Sequence, residues 1–107
     1  MFCRIAAGEI PATLLYADGE IVAFADLDPR APFHALVIPR AHVAKLSDLA
    51  DEGLGGRLLQ AVRRVAADAG HGETFRLVAN NGEGAGQSVP HLHFHVLGGR
   101  EFGWPPG

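Results

Sequence analysis

Apolar and polar positions change their spacing along the chain, and each change marks an element. Residues 13–17 (Thr-Leu-Leu-Tyr-Ala) and 20–25 (Glu-Ile-Val-Ala-Phe-Ala) are short apolar runs separated by Asp18 and Gly19. That pair tolerates the positive φ of a tight turn, so the pattern predicts a β-hairpin. Residues 26–32 carry two prolines and two acids and break the second run, after which 34–39 resume as a third strand. From Asp51 onward the apolar residues recur at Leu54, Leu58, Ala61, Val62, Val65 and Ala69, which is one face of a helix. Asp51 and Glu52 suit its start and Gly70 its stop. Gly55 and Gly56 would each cost about 1 kcal/mol inside a helix, which predicts either a late start near Arg57 or close packing at those positions. Residues 74–79 and 92–97 are expected as the fourth and fifth strands, with the glycine-rich loop 80–88 between them. Hairpins around one helix predict an α+β domain with a five-stranded, mostly antiparallel sheet. The tail, 100–107, holds two prolines and two glycines and is not expected to continue the sheet, which leaves Trp104 in need of a surface.

Composition narrows the classes. A chain of 107 residues, 48% hydrophobic, supports one domain spanning 1–107 and can bury a core without metal or disulfide staples. Nine Lys plus Arg against twelve Asp plus Glu give a net charge of -3, so neither nucleic acid nor a membrane surface is expected as partner. Cys3 is the single cysteine, which excludes an intrachain disulfide and a tetrathiolate zinc site built from this chain alone. With no apolar run of membrane-spanning length and no signal-like N-terminus, a cytoplasmic protein is expected.

The anomaly is the clustering of histidine. His91-Leu92-His93-Phe94-His95-Val96-Leu97 alternates imidazole with an apolar side chain. On a strand the three imidazoles share one polar face while Leu92, Phe94 and Val96 face the core. Two chemistries compete for such a row. A metal site is one, with His34 and Asp26 supplying further ligands; but His91 and His95 lie roughly 13 Å apart along a strand, too far for both to reach one ion. Phosphoryl chemistry is the other: a neutral imidazole is a competent nucleophile, and its neighbours donate protons or hydrogen bonds. The preceding loop favours the second, because Gly82, Gly84 and Gly86 allow backbone amides to approach phosphate oxygens, and Gln87 and Ser88 add side-chain groups. The loop precedes a strand and lacks Lys-Ser or Lys-Thr, so it is neither a dinucleotide fingerprint nor a Walker loop. Taken alone, Asp26 and Asp28 read as turn formers, Phe2, Ile5, Phe24 and Leu27 as core residues, and His42 and His71 as surface histidines without a role.

These residues resemble the histidine triad family. The stretch Gly86-Gln-Ser-Val-Pro-His-Leu-His-Phe-His-Val-Leu-Gly-Gly-Arg100, with Trp104-Pro-Pro-Gly107, is similar to the histidine triad nucleotide-binding (HINT) branch. Phe2-Cys-Arg-Ile5, Glu9-Ile-Pro-Ala12, Ala23-Phe-Ala-Asp26, Ala31-Pro-Phe-His-Ala-Leu-Val-Ile-Pro39 and Asn80 also have counterparts there. The resemblance implies the five-stranded sheet, one main helix and a short N-terminal helix.

It further implies a hydrolase of purine nucleoside phosphoramidates, and of aminoacyl-adenylates, acting on a purine nucleotide substrate through a covalent nucleotidyl-histidine. Dinucleoside polyphosphate hydrolysis and a nucleotide-responsive interaction protein are the alternatives. By this resemblance His93 attacks the α-phosphorus, His95 contacts the α-phosphate and assists the leaving group, and His34 and His91 orient that pair. Ser88 bonds the leaving group, and Asn80, Gly86, Gln87 and Val89 line the phosphate pocket. Asp26 holds the ribose hydroxyls, and Phe2, Ile5, Phe24 and Leu27 enclose the purine. A homodimer is implied, with Trp104 approaching the partner subunit's site. No cofactor is expected. Some relatives bind zinc through an N-terminal Cys-x-x-Cys and additional histidines, whereas Met1-Phe-Cys3 lacks the first cysteine, so no residue is assigned to a metal. Transferase relatives replace the third histidine with glutamine; His95 therefore favours hydrolysis.

Overall fold

The computed structural model describes residues 2–8 and 12–107. Its elements in chain order are helix α1 (Phe2–Ala6), strands β1 (Leu14–Ala17), β2 (Ile21–Ala25) and β3 (Phe33–Pro39), helix α2 (Glu52–Asp68), and strands β4 (Arg76–Val78) and β5 (Phe94–Gly98). The strands form one sheet in the order β1-β2-β3-β5-β4, with every neighbouring pair antiparallel. The α+β reading therefore holds, together with the main helix and the short N-terminal one. Of the stretches that carried the family resemblance, residues 9–11 lie outside the described ones.

The strands alternate cleanly between two environments. Ile21, Ala23, Ala35, Val37, Phe94 and Val96 face α2, where they pack with Leu54, Leu58, Val62 and Val65. Val22, Phe24, Leu36 and Ile38 face the opposite side and pack with Phe2, Ile5 and Ala6 of α1. Both sides of the central strands are thus covered, which explains why β2 and β3 read as unbroken apolar runs. Arg40, just past β3, donates to the Ala6 carbonyl and ties the end of α1 to the sheet.

Of four local expectations, three change and one holds. First, α2 starts at Glu52 and not near Arg57, because the Asp51 carboxylate accepts the Leu54 amide at 3.0 Å and caps the first turn. Gly55 and Gly56 lie inside the helix with no tight neighbour: an added Cβ at Gly55 would meet Leu49 at an ordinary 3.5 Å, and at Gly56 nothing. Second, Gly70 ends the helix as expected, with φ of 85°, the Gly70 amide on the Ala67 carbonyl and the His71 amide on the Ala66 carbonyl, which is a Schellman closure. Third, the β1–β2 turn uses no positive φ at Gly19. Asp18 instead accepts the amides of Glu20 and Ile21 at 2.7 and 2.8 Å, so side-chain capping by aspartate does what a primed turn would have done. Fourth, β4 and β5 are shorter or shifted: β4 keeps only 76–78 of 74–79, and β5 begins at Phe94, leaving His91 and His93 ahead of the ladder.

Leu58, fully buried between α2 and the sheet, anchors the larger core. Leu58→Ala is expected to cost about 2–5 kcal/mol. Chemical denaturation of the purified variant checks this: the midpoint should fall while the slope stays unchanged, and a loss below about 1 kcal/mol would mean that α2 contributes little to the core.

Candidate active site

Strand alternation decides which side chains meet. On β3, His34 lies between Phe33 and Ala35, which face α2, so its imidazole lies on the opposite side of the sheet. On β5, His95 lies between Phe94 and Val96 and is turned the same way. The β3–β5 register pairs His34 with Leu97 and Leu36 with His95, so the two histidines are diagonal neighbours across one ladder. Their rings touch, with His34 Nε2 2.9 Å from His95 Nδ1. His93 stacks edge-on against His95 with centroids 5.0 Å apart, and Phe2 of α1 closes edge-on over His93 at 5.0 Å.

The polar face that carries the imidazoles is covered. His34, His91 and His93 are all buried, because α1 and the loop before β5 cover that side of the sheet. Burial makes every ring nitrogen seek a partner, and those partners assign the protons. His93 Nδ1 is 2.7 Å from the carbonyl of His91, to which it donates; in the neutral ring this leaves Nε2 with its lone pair. His91 Nε2 donates to the Pro39 carbonyl at 2.8 Å. His34 Nδ1 accepts the Arg30 amide at 3.0 Å, so its proton sits on Nε2 beside His95 Nδ1. His93 Nε2 and His95 Nε2 find no hydrogen-bond partner among the described residues, yet no fully buried side-chain nitrogen or oxygen there is unpaired. Both atoms therefore open onto the adjoining cavity.

That cavity has a volume of 360 Å³. Its apolar wall comes from Phe2, Ile5, Phe24, Leu36 and Val89, and its polar end from Asp26, His34, Ser88, His93 and His95. Leu27 stands at the mouth and is 83% exposed, so it can only form a rim. An apolar slot ending in convergent polar groups suits a flat ring joined to a polar, anionic portion. A wider groove of 590 Å³ lies on the helix side between α2 and the β1–β2 turn, but it contains no histidine.

Several predicted residues stand outside the cavity. Gln87 is buried as a loop staple: its Oε1 accepts the Gly82 amide at 2.8 Å, and its Nε2 donates to the carbonyls of Ala44 and Val89. The glycine loop does not offer a row of free amides either. Those of Ala85 and Gln87 bond the Gly82 carbonyl, and that of Gly86 bonds Glu83, closing a 3-10 turn over Glu83–Ala85. Gly82 and Gly86 are needed for their positive φ of 88° and 96°. Asn80 lies beside Gly86, about 4 Å from where its Cβ would stand. His91 is not among the residues that line the cavity, its nitrogens being turned to Cys3 Sγ and the Pro39 carbonyl, and Trp104 is 84% exposed in the tail. The tail is held just before it: Arg76 donates to the Gly103 carbonyl at 2.7 Å, and Arg76 and Arg100 both lie over the Phe102 ring.

The structure also gives neighbours to a residue that sequence reasoning left idle. His42 Nδ1 lies 3.3 Å from Cys3 Sγ, which lies 3.0 Å from His91 Nδ1. Their donor atoms all fall within 4.8 Å of one another. One thiolate and two imidazoles are a donor set that zinc accepts, with a fourth position left for another ligand, so Cys3, His42 and His91 have the chemistry to hold such an ion. Such an ion would tie α1 to the segment that carries His93. The signal was available as Cys3 plus two histidines outside the catalytic pair, but their sequence separations of 39 and 88 residues concealed it.

The chain belongs to the HIT domain family, whose pattern it matches over residues 7–102. Among its relatives, an uncharacterised HIT-like protein of Synechocystis is 50% identical over all of this chain and 96% of its own length. A HIT family hydrolase from Legionella pneumophila superposes with a TM-score of 0.96 at 45% identity, covering 100% of this chain and 98% of that one. A histidine triad nucleotide-binding protein from Candida albicans superposes at 0.85 with 31% identity, covering 99% and 82%. No described helix is long and apolar enough to cross a membrane.

Burial, with His93 and His34 nearby, pushes the His95 imidazole down to about 4, against the pull of Asp26. His34 is lowered as well, mainly by burial, with Asp26 again opposing. The folded protein therefore keeps His95 neutral at pH values where an unfolded histidine, near 6.5, takes up a proton. Stability is expected to be complete above about pH 6.5 and to fall progressively toward pH 4, by on the order of 2–3 kcal/mol from His95. Thermal melts between pH 7.5 and 4 check this, and His95→Gln should flatten the profile; an equally steep profile in that variant would assign the acid sensitivity elsewhere.

Proposed function

We propose that this protein is a hydrolase of the HINT branch that cleaves the P–N bond of purine nucleoside phosphoramidates to the nucleoside monophosphate and an amine. The observation that carries the reading is the bare Nε2 of His93. Its ring is locked by the bond from Nδ1 to the His91 carbonyl, and its free lone pair opens into a cavity with one apolar and one polar end. The sequence motif and the similarity to a HIT family hydrolase and to a histidine triad nucleotide-binding protein support the same reading.

The base lies between Phe2, Ile5 and Phe24 with Leu27 at the rim, and Asp26 accepts the ribose hydroxyls. His93 Nε2 attacks the α-phosphorus, a P–N(His) bond forms, and the bond to the amine breaks as His95 Nε2–H protonates the departing nitrogen. Ser88 bonds the leaving group. The imidazolate this leaves at His95 takes a proton from water, which restores its Nε2–H, and the resulting hydroxide attacks the nucleotidyl-imidazole and releases the monophosphate with His93 restored. His91 and His34 act through the rings that they orient. Asn80, Gly86 and Gln87 support this site by shaping the loop that presents Ser88 and Val89. Aminoacyl-adenylates offer the same α-phosphorus and are included.

His93→Ala is expected to retain AMP binding and lose turnover by roughly 10⁴-fold or more. Rapid quench of the wild-type enzyme with labelled adenosine phosphoramidate should trap an acid-labile nucleotidyl-protein, absent in the variant. Near-normal single-turnover rates in the folded variant would refute the covalent route, and faster turnover of diadenosine polyphosphates than of any phosphoramidate would move the substrate class.

The exposed Trp104 and the open outer edge of β4 support a homodimer with sheets joined edge to edge, in which the tail reaches the partner subunit's leaving-group pocket. Phe102 and the Gly103 carbonyl hold the tail to its own subunit, so removal of residues 104–107 should leave the melting temperature nearly unchanged. It should shift relative kcat/KM across a series of amine leaving groups. Unaltered selectivity would exclude a recognition role for Trp104.

A further inference from the structure

We propose that Asp26 is also a positioning residue for proton transfer: acting through His34, its carboxylate holds His95 in the tautomer that presents Nε2–H to the cavity. Asp26 Oδ1 accepts the Asp28 amide at 2.8 Å, which orients the carboxylate and leaves Oδ2 only 3.3 Å from His34 Nε2. The Arg30 amide occupies His34 Nδ1, so the single proton of that ring is on Nε2, between Asp26 Oδ2 and His95 Nδ1. Because His95 accepts at Nδ1, its own proton must be on Nε2. The order is carboxylate, imidazole, imidazole, and both links meet at one N–H.

The charged and titratable groups around this N–H are Asp26, Asp28 and Arg30 from the β2–β3 loop, and His93 and His95 from β5 and the segment before it. Asp28 and Arg30 pair with each other at 2.9 Å in solvent, so the partly buried Asp26 is the acid in contact with His34. An anionic neighbour favours the His34 tautomer with its proton on Nε2, because the other tautomer would set a bare Nε2 lone pair against the carboxylate; facing that N–H, His95 Nδ1 can only accept, and a His95 with its proton on Nδ1, a donor aimed away from substrate, is disfavoured.

This inference rests on the phosphoramidate reading for its kinetic consequence. Ribose hydroxyls donating to Asp26 compete with His34 for Oδ2, so His34 Nε2–H is then given wholly to His95. Occupation of the sugar subsite thereby tightens the contact that orients the proton donor. Ribose recognition should appear in kcat as well as in KM.

Long-range ¹H–¹⁵N spectra of the histidines in ligand-free protein at pH 7 are the direct test. Nε2–H with bare Nδ1 is expected on both His34 and His95. Asp26→Asn should lower the His34 titration midpoint by about half to one pH unit and give His95 a mixture of tautomers. The same variant should lower kcat for a ribonucleoside phosphoramidate about 10- to 100-fold, and it should abolish the kcat difference between ribose and dideoxyribose substrates. A wild-type His95 protonated on Nδ1 overturns the proposal, with or without a folded variant. So does an Asp26→Asn protein whose His34 and His95 signals are unmoved and whose only defect is in KM. If the expected tautomers are seen but no phosphoramidate is turned over, the relay stands and the substrate reading fails.

Discussion

The antiparallel pairing of β3 with β5 is the constraint on which the site depends. It sets Leu36 opposite His95 and His34 opposite Leu97, and so brings two imidazoles from positions 61 residues apart within 2.9 Å. Side chains on a strand alternate with a period of two, so a slip of one residue would send His95 into the core against α2 and bring Phe94 or Val96 to the cavity. Burial prevents that slip. Ala35, Val37, Phe94 and Val96 are already committed to the helix-side core, and exchanging that row for imidazoles would place uncompensated polar rings against α2. The hydrophobic core therefore sets the geometry of the chemistry without touching it.

A second consequence is electrical. Helix α1 and the loop before β5 exclude water from the histidine side of the sheet, and neutral imidazoles are what a buried site favours. Neutral rings carry one proton each, and fixed acceptors and donors decide where each proton goes: the His91 carbonyl for His93, the Pro39 carbonyl for His91, the Arg30 amide for His34. Three backbone groups from three segments thus define which nitrogens are bases and which are donors. The glycine loop contributes differently from the way its composition suggests. Its amides close a turn on themselves, with Gln87 as the internal staple, and its product is the placement of Ser88 and Val89 at the cavity wall.

Much of the architecture was legible in the chain. The 3.6-residue spacing of Leu54, Leu58, Val62 and Val65, and the alternation around His93 and His95, reported true faces because each rests on local stereochemistry. The late helix start failed because Asp51 caps the first turn and outweighs the glycines that follow. The primed turn at Gly19 failed because a carboxylate satisfied the same amides. Phe2, Ile5 and Phe24, read together as an apolar enclosure, do line one cavity wall, while Leu27 stands at its mouth, since an apolar residue next to an aspartate in a loop has no sheet to bury it. Residues 91 and 93 are buried ahead of the strand that was expected to display them, because coverage by α1 is a property of packing.

By itself, the sequence determined the order of elements, the side of the sheet that each strand residue takes, and the motif that marks the family. These follow from backbone periodicity and from short-range side-chain chemistry. Only the tertiary structure decided which nitrogen of each imidazole holds its proton, that His42 and Cys3 meet at His91, and that Asp26 reaches His95 through His34. Each of those depends on contacts of 2.9 to 3.3 Å between residues distant in the chain or joined only through the fold, where burial converts a change of hydrogen-bond partner into a change of chemical role.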